Sequence, residues 1–179
     1  LVKYSLEKYK PERFALIGCS SGNGLEHVNT TRMRKIYAVD LNPDYLTALK
    51  ERFSHFEDIL ETLQIDIERQ DFTFGNIDLV FAGLILEYVN IKPALKKFSS
   101  LLNRDGTLVI VIQKSNDSEF VSDTQYNSLK QLQSVSKDVN EDDLVSYLME
   151  QDMILKERNE RSLPNNKSFV SLEFKFALM

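Results

Sequence analysis

Hydrophobic positions along the chain fall into short continuous runs, separated by segments whose apolar residues recur at helical spacing. The runs are Phe14-Ala15-Leu16-Ile17 ending at Gly18, Ile36-Tyr37-Ala38-Val39 ending at Asp40, Ile77 to Ala82, and Leu108-Val109-Ile110-Val111-Ile112, which follows the turn Asn103-Arg104-Asp105-Gly106. A weaker one lies near Ile65-Asp66-Ile67-Glu68, ending toward Asp71. Unbroken apolar character over about four to eight residues marks strands buried on both faces of a parallel sheet.

Between the runs the period becomes helical. Asn42-Pro43-Asp44 offers a capping side chain, a proline with preset φ and an acid for the first turn, and Leu46, Leu49 and Phe53 then form one stripe. A second helix is predicted over Ile91 to Leu102, with Ala94, Leu95, Phe98 and Leu101 on one side, and a third from Asn140-Glu141-Asp142-Asp143, burying Leu144, Tyr147 and Leu148. Met153-Ile154-Leu155, the turn Pro164-Asn165-Asn166-Lys167, and the alternation of Val170, Leu172, Phe174 and Phe176 with Ser171, Glu173 and Lys175 predict a closing antiparallel hairpin. The fold class is therefore α/β, a doubly wound, Rossmann-like, mostly parallel sheet with a C-terminal antiparallel hairpin.

The chain has 179 residues, enough for one domain over 1–179 and cramped for two. With 22 Lys plus Arg against 27 Asp plus Glu, the net charge is −5, which argues against nucleic-acid or anionic-membrane surfaces. No apolar run reaches the roughly 18 residues of a membrane span, and no secretory leader is evident. The single cysteine, Cys19, precludes an internal disulfide and a multi-cysteine metal site and suits a reducing cytoplasm, so no metal is expected. The first residue is Leu1, which leaves room for residues upstream. His27 and His55 fall in helical or helix-end segments and read as surface residues.

The candidate chemistry sits where the first strand runs into Gly18-Cys19-Ser20-Ser21-Gly22-Asn23-Gly24. A glycine-rich turn after a buried strand and before a helix lets backbone approach a ligand, with unpaired N–H groups at the helix start. Asp40 closes the second strand about 20 residues later, where a carboxylate can accept from both ribose hydroxyls of an adenosine-containing ligand. The dinucleotide fingerprint would place glycine at the positions held by Gly18, Ser20 and Asn23 and so matches once, which disfavours a nicotinamide enzyme.

In this turn the chain resembles the class I S-adenosylmethionine-dependent methyltransferase superfamily, small-molecule type, with Gly18, Ser20 and Gly22 at the alternate glycine positions of its first motif. Ile77-Asp78-Leu79-Val80-Phe81-Ala82 resembles the family's fourth-strand motif, Leu86-Glu87-Tyr88-Val89 the segment after it, and the terminal hairpin its sixth and seventh strands. The resemblance implies a seven-stranded sheet, S-adenosylmethionine as cofactor and methyl transfer to a small molecule.

Residue by residue, the resemblance implies that Gly18, Cys19, Ser20 and Gly22 cradle the cofactor, that Asp40 binds the ribose and that Leu41 packs on the adenine. Asp71-Phe72 would follow the third strand and meet the adenine amino group, with Ala82 and Leu84 on the other side of the cleft. Tyr88 is the candidate catalytic residue, Gln113 and Tyr126 are candidate substrate contacts, and the polar stretch from Gln113 to Val139 is a possible lid. Ala82-Gly83-Leu84-Ile85 lacks the amide and prolines typical of members that methylate planar amino groups, which favours a small acceptor. Leu16 stands where many members carry an acid and Ser20 where many carry glycine, and an N-terminal helix that often closes the site has hardly any counterpart here. The alternative is a non-catalytic module that binds an adenosine compound or a protein.

Overall fold

The computed structural model describes residues 1–115, 137–164 and 167–177. Along the chain these form α1 (Val2–Tyr9), β1 (Arg13–Ile17), β2 (Lys35–Asp40), α2 (Pro43–Arg52), β3 (Leu60–Gln64), β4 (Ile77–Gly83), α3 (Ile91–Leu101), β5 (Leu102–Ser115), α4 (Glu141–Met149), β6 (Met153–Ser162) and β7 (Lys167–Phe176). The seven strands make one sheet in the order β3-β2-β1-β4-β5-β7-β6. The β3-β2-β1-β4-β5 pairings are parallel, and β7 runs antiparallel to both β5 and β6. The strand order reverses between β1 and β4, the point at which an open α/β sheet leaves a crevice beyond its carboxyl ends.

Both faces of the central strands are covered, which is why their sequences read as continuous apolar runs. Ala15, Ile17, Val39, Val80 and Ile110 share one core cluster with Leu95 and Phe98 of α3 and Leu144 and Leu148 of α4. Phe14, Leu16, Ile36, Leu79 and Val109 share the other with Leu6 of α1 and Leu46 and Leu49 of α2. Leu16 is buried in this second layer, so the acid that the resemblance leads one to expect there would have to be desolvated. The two capped helices form as predicted: Asn42 accepts from the Asp44 N–H at 2.9 Å, and Asn140 accepts from the Asp143 N–H at 3.1 Å.

Four elements differ from the sequence reading. The third strand is Leu60–Gln64, ahead of the expected Ile65–Glu68. It is an edge strand, mostly half-buried and paired only with β2, so it carries no continuous apolar run. Ile65 and Ile67 are buried, but the chain beyond Ile65 turns, with the Arg69 and Gln70 N–H groups donating to the Asp66 carbonyl. The helix expected after the glycine turn is one 3-10 turn, Leu25–His27; it ends before a polar, β-branched stretch in which Asn29 accepts from both the N–H and hydroxyl of Thr31. The N-terminal helix, in contrast, exists: α1 covers that face, with Val2 packed against Gly24. Finally, β5 starts at Leu102, so the predicted turn Asn103–Gly106 is a bulge where the ladder passes from Ile77↔Leu102 to Leu79↔Thr107. Tyr126 and most of the possible lid lie outside the described residues.

Candidate functional site

The glycine turn is built by alternating left-handed residues: Gly18 at φ +69°, Ser20 at +47°, Gly22 at +83° and Gly24 at +103°. The Gly18 and Cys19 N–H groups both donate to the Val39 carbonyl at 2.9 Å, which draws the turn over the end of β2. Gly22 has no room for a side chain, since a Cβ there would stand 2.8 Å from a Phe53 ring carbon and 3.0 Å from Leu49. Ser20 adopts the left-handed conformation without being glycine, and its N–H donates to the Asp40 carboxylate at 2.8 Å. Such a charge-assisted bond offsets a cost of about 1–2 kcal/mol for a β-carbon residue in that region.

Asp40 thus ties two turns together. One carboxylate oxygen accepts from Ser20 and the other from the Asn42 N–H at 2.9 Å. Each oxygen keeps a further lone pair for a ligand hydroxyl. Beside it Leu41 is 61% exposed, and across the switch point Leu84, at φ +55°, is 37% exposed. Two bare leucines at the carboxyl ends of β2 and β4 give a planar ring apolar surface on which to lie. Ala82 is buried in the strand beneath. Cys19 is buried, and burial together with the Asp40 charge pushes its thiol up to about 12, so it packs and does not act as a nucleophile.

The other predicted residues scatter. Asp71 is 90% exposed in its side chain and lies 3.2 Å from Lys97 of α3, while Phe72 packs edge-on against Phe74 and near Phe98. Because β3 ends at Gln64, Asp71 does not follow it. The acid that does is Asp66, one residue beyond Ile65, whose N–H donates to the Asp40 carbonyl at 3.1 Å. In the sequence the Ile65-Asp66-Ile67 spacing imitates a strand, which masks Asp66 as the acid just beyond β3.

A cavity of about 590 Å³ opens beside the glycine turn on the α1 face. Its floor includes Phe81, Val111 and Phe169, and its walls include Val2 and Lys3 of α1, Gly24 and Leu84. Tyr88 and Gln113 are not among its lining residues. Tyr88 is half-buried in a 3-10 turn, and burial, then the neighbouring Glu87 charge, raises its phenol above the ordinary value, so it is a neutral hydroxyl at physiological pH. Among the described residues no group of three or more His, Cys, Asp and Glu is placed to hold a metal, and no helix is long and apolar enough to cross a membrane. His27 and His55 are exposed.

Glu87 is fully buried in the same turn, with one oxygen accepting from the Gln113 N–H at 2.9 Å and the other without a partner among the described residues. Burial raises its carboxyl above the ordinary 4.5, opposed by the Gln113 amide. A carboxyl whose folded pKa exceeds its unfolded one holds more proton when folded, so stability falls as pH rises from about 4.5 through the folded value. Glu87→Gln, which keeps the acceptor for Gln113, is expected to flatten the decline of Tm with rising pH over that window. Thermal unfolding from pH 4.5 to 8 reads it; parallel curves for wild type and variant would sink the assignment.

Residues 16–110 match the family model described as a methyltransferase domain. Among solved structures, N-methyltransferase NodS from Bradyrhizobium japonicum, in complex with S-adenosyl-L-homocysteine, is similar with a TM-score of 0.74 at 15% identity, covering 99% of this chain and 84% of that one. The 1,6-didemethyltoxoflavin-N1-methyltransferase of Burkholderia thailandensis, with 1,6-didemethyltoxoflavin and S-adenosylhomocysteine bound, gives 0.72 at 15% identity over 98% of this chain and 77% of that one. Magnesium protoporphyrin IX methyltransferase from Synechocystis gives 0.72 at 12% over 98% and 80%. These likenesses are likenesses of fold. No curated protein matches the chain in sequence.

Proposed function

From the premise that the chain belongs to the methyltransferase domain family, we propose that it is an S-adenosylmethionine-dependent methyltransferase acting on a small molecule in the cytoplasm. The observation that carries the reading is the closed turn in which Asp40 holds the Ser20 N–H at 2.8 Å, with exposed Leu41 on one side and the cavity on the other. When bound, S-adenosylmethionine would supply a sulfonium-activated methyl group for transfer to an acceptor lone pair, with a neutral thioether as the leaving group. The chain's part is positioning: Asp40 to accept from ribose hydroxyls, Gly18, Ser20 and Gly22 to keep the backbone close, Leu41 and Leu84 to cover the ring. Asp66 is a better reading than Asp71 for the adenine amino group, because it follows β3. A proton released by the acceptor passes to solvent, since Tyr88 stays protonated and does not line the cavity. The cavity volume falls in the small-molecule range, and the buried lone cysteine suits a reducing compartment.

A non-catalytic adenosine-binding module is the second reading, favoured by the single 3-10 turn where a helix was expected to present its N–H groups. Calorimetric titration with S-adenosylmethionine, S-adenosylhomocysteine and NAD tests the first: the two sulfur compounds are expected to bind and NAD not to. Failure of both to bind, or tighter binding of NAD, would overturn the cofactor assignment.

A further inference from the structure

The charged residues that line the cavity beside the glycine turn run against the balance of the chain. The chain has 27 acids against 22 Lys plus Arg, yet among the described residues no Asp or Glu lines this cavity, while Lys3, His27 and Arg161 do. Between Lys3 and Arg161 the floor is apolar.

Arg161 is unusual among the cations around it. Lys8 of α1 is engaged by Glu157 and Glu173, and Arg158 of β6 by Glu141 and Glu160. Among the described residues the Arg161 guanidinium makes neither an ion pair nor a hydrogen bond, although Glu157 and Glu160 lie on the same strand. In the ladder Arg161 pairs with Phe169, and Phe169 with Gln113, so the three share the face to which Val111 also belongs. Arg161 and Phe169 are thus directly opposed in the ladder and line the same cavity, which sets a guanidinium and an aromatic ring where a planar ligand carrying an acid group could meet both. Lys3 reaches the same cavity from α1, and its one ion pair, to Glu7 at 3.9 Å, is exposed and weak.

We propose that the methyl acceptor is a small, largely apolar anion, with its ring system on Phe81, Val111 and Phe169 and its acid group held by Arg161 and Lys3. The proposal rests on the methyltransferase reading above, because it assigns the cavity to the acceptor and the Asp40 side of the turn to the nucleoside. An apolar floor alone would take neutral and charged ligands alike. Arg161, without a side-chain partner among the described residues, and the weakly paired Lys3 convert the choice into one of charge, since a charge-assisted pair to arginine is stronger than a neutral hydrogen bond and is geometrically specific.

The test uses acid and amide pairs of matched shape, indole-3-acetate with indole-3-acetamide and benzoate with benzamide, titrated calorimetrically into the protein with and without S-adenosylhomocysteine. The acids are expected to bind about tenfold tighter than the amides, and the preference to disappear in Arg161→Gln and shrink in Lys3→Gln. Arg158→Gln, on the same strand, is expected to keep it. Equal binding of acid and amide, preference for the amide, or no binding of either acid would overturn the proposal. So would an Arg161→Gln variant that weakens S-adenosylhomocysteine as much as the acids, because the cations would then serve the cofactor's own carboxylate. Absence of S-adenosylhomocysteine binding to wild type would overturn the cofactor reading instead, and it is read independently of the acid and amide comparison on the protein alone.

Discussion

Gly22→Ala is expected to lower the melting temperature by on the order of 10 °C, although it adds only one methyl group. Two costs add at this position. The backbone sits at φ +83°, where a β-carbon costs about 1–2 kcal/mol. The new carbon would also stand 2.8 Å from the Phe53 ring and 3.0 to 3.1 Å from two Leu49 carbons. Leu49 is fully buried and Phe53 nearly so at the end of α2, so neither can step aside, and overpacking of this kind costs about 1–3 kcal/mol. The sum is a large part of the 5–15 kcal/mol that holds a domain folded. Gly75→Ala is the control: its nearest neighbour would be the Leu101 carbonyl oxygen at 3.8 Å, and its φ is not positive, so little change is expected. Thermal unfolding of both variants decides the point, and equal shifts would show that the turn tolerates a side chain.

The same residues show what could be read before any coordinates. The central strands were legible because burial on both faces leaves few polar positions in them, and α2 and α4 because Asn42 and Asn140 cap them through side chains that few other residues offer. The edge strand β3 was not, since half-burial along most of Leu60–Gln64 removes the signal, and the two buried isoleucines that follow imitate a strand. That shift of a few residues is why Asp71, and not Asp66, was expected to follow the third strand. The helix α1 was obscured because its attachment is polar: Lys8 and Tyr9 reach the buried Glu173 of β7, a contact between residues far apart in sequence that no periodicity reports. The cavity was invisible for the same reason, as Lys3, Gly24, Leu84, Val111 and Arg161 converge only when the sheet closes. The glycine turn and Asp40, by contrast, are local in sequence or one strand apart.

That pairing carries the second large effect. Asp40→Ala is expected to weaken S-adenosylmethionine binding by about 100-fold, the scale of losing two hydrogen bonds to a charged acceptor. The change acts twice. It removes the acceptor for the ribose, and it releases the Ser20 and Asn42 N–H groups that the carboxylate holds at 2.8 and 2.9 Å, so the left-handed Ser20 loses its restraint. Asp40→Asn separates the two, since its single oxygen can keep one of these N–H groups but brings a donor where the other stood. An intermediate loss is therefore expected. Among the acids further along, Asp66→Ala is expected to weaken binding about tenfold, whereas Asp71→Ala, which removes only an exposed contact with Lys97, should leave it unchanged. Calorimetric titration of the four variants orders them as Asp40→Ala, Asp40→Asn, Asp66→Ala, Asp71→Ala. If Asp71→Ala cost more than Asp66→Ala, the loop after β3 would have to rearrange on binding; if Asp40→Ala cost nothing, the nucleoside could not lie on this side of the turn.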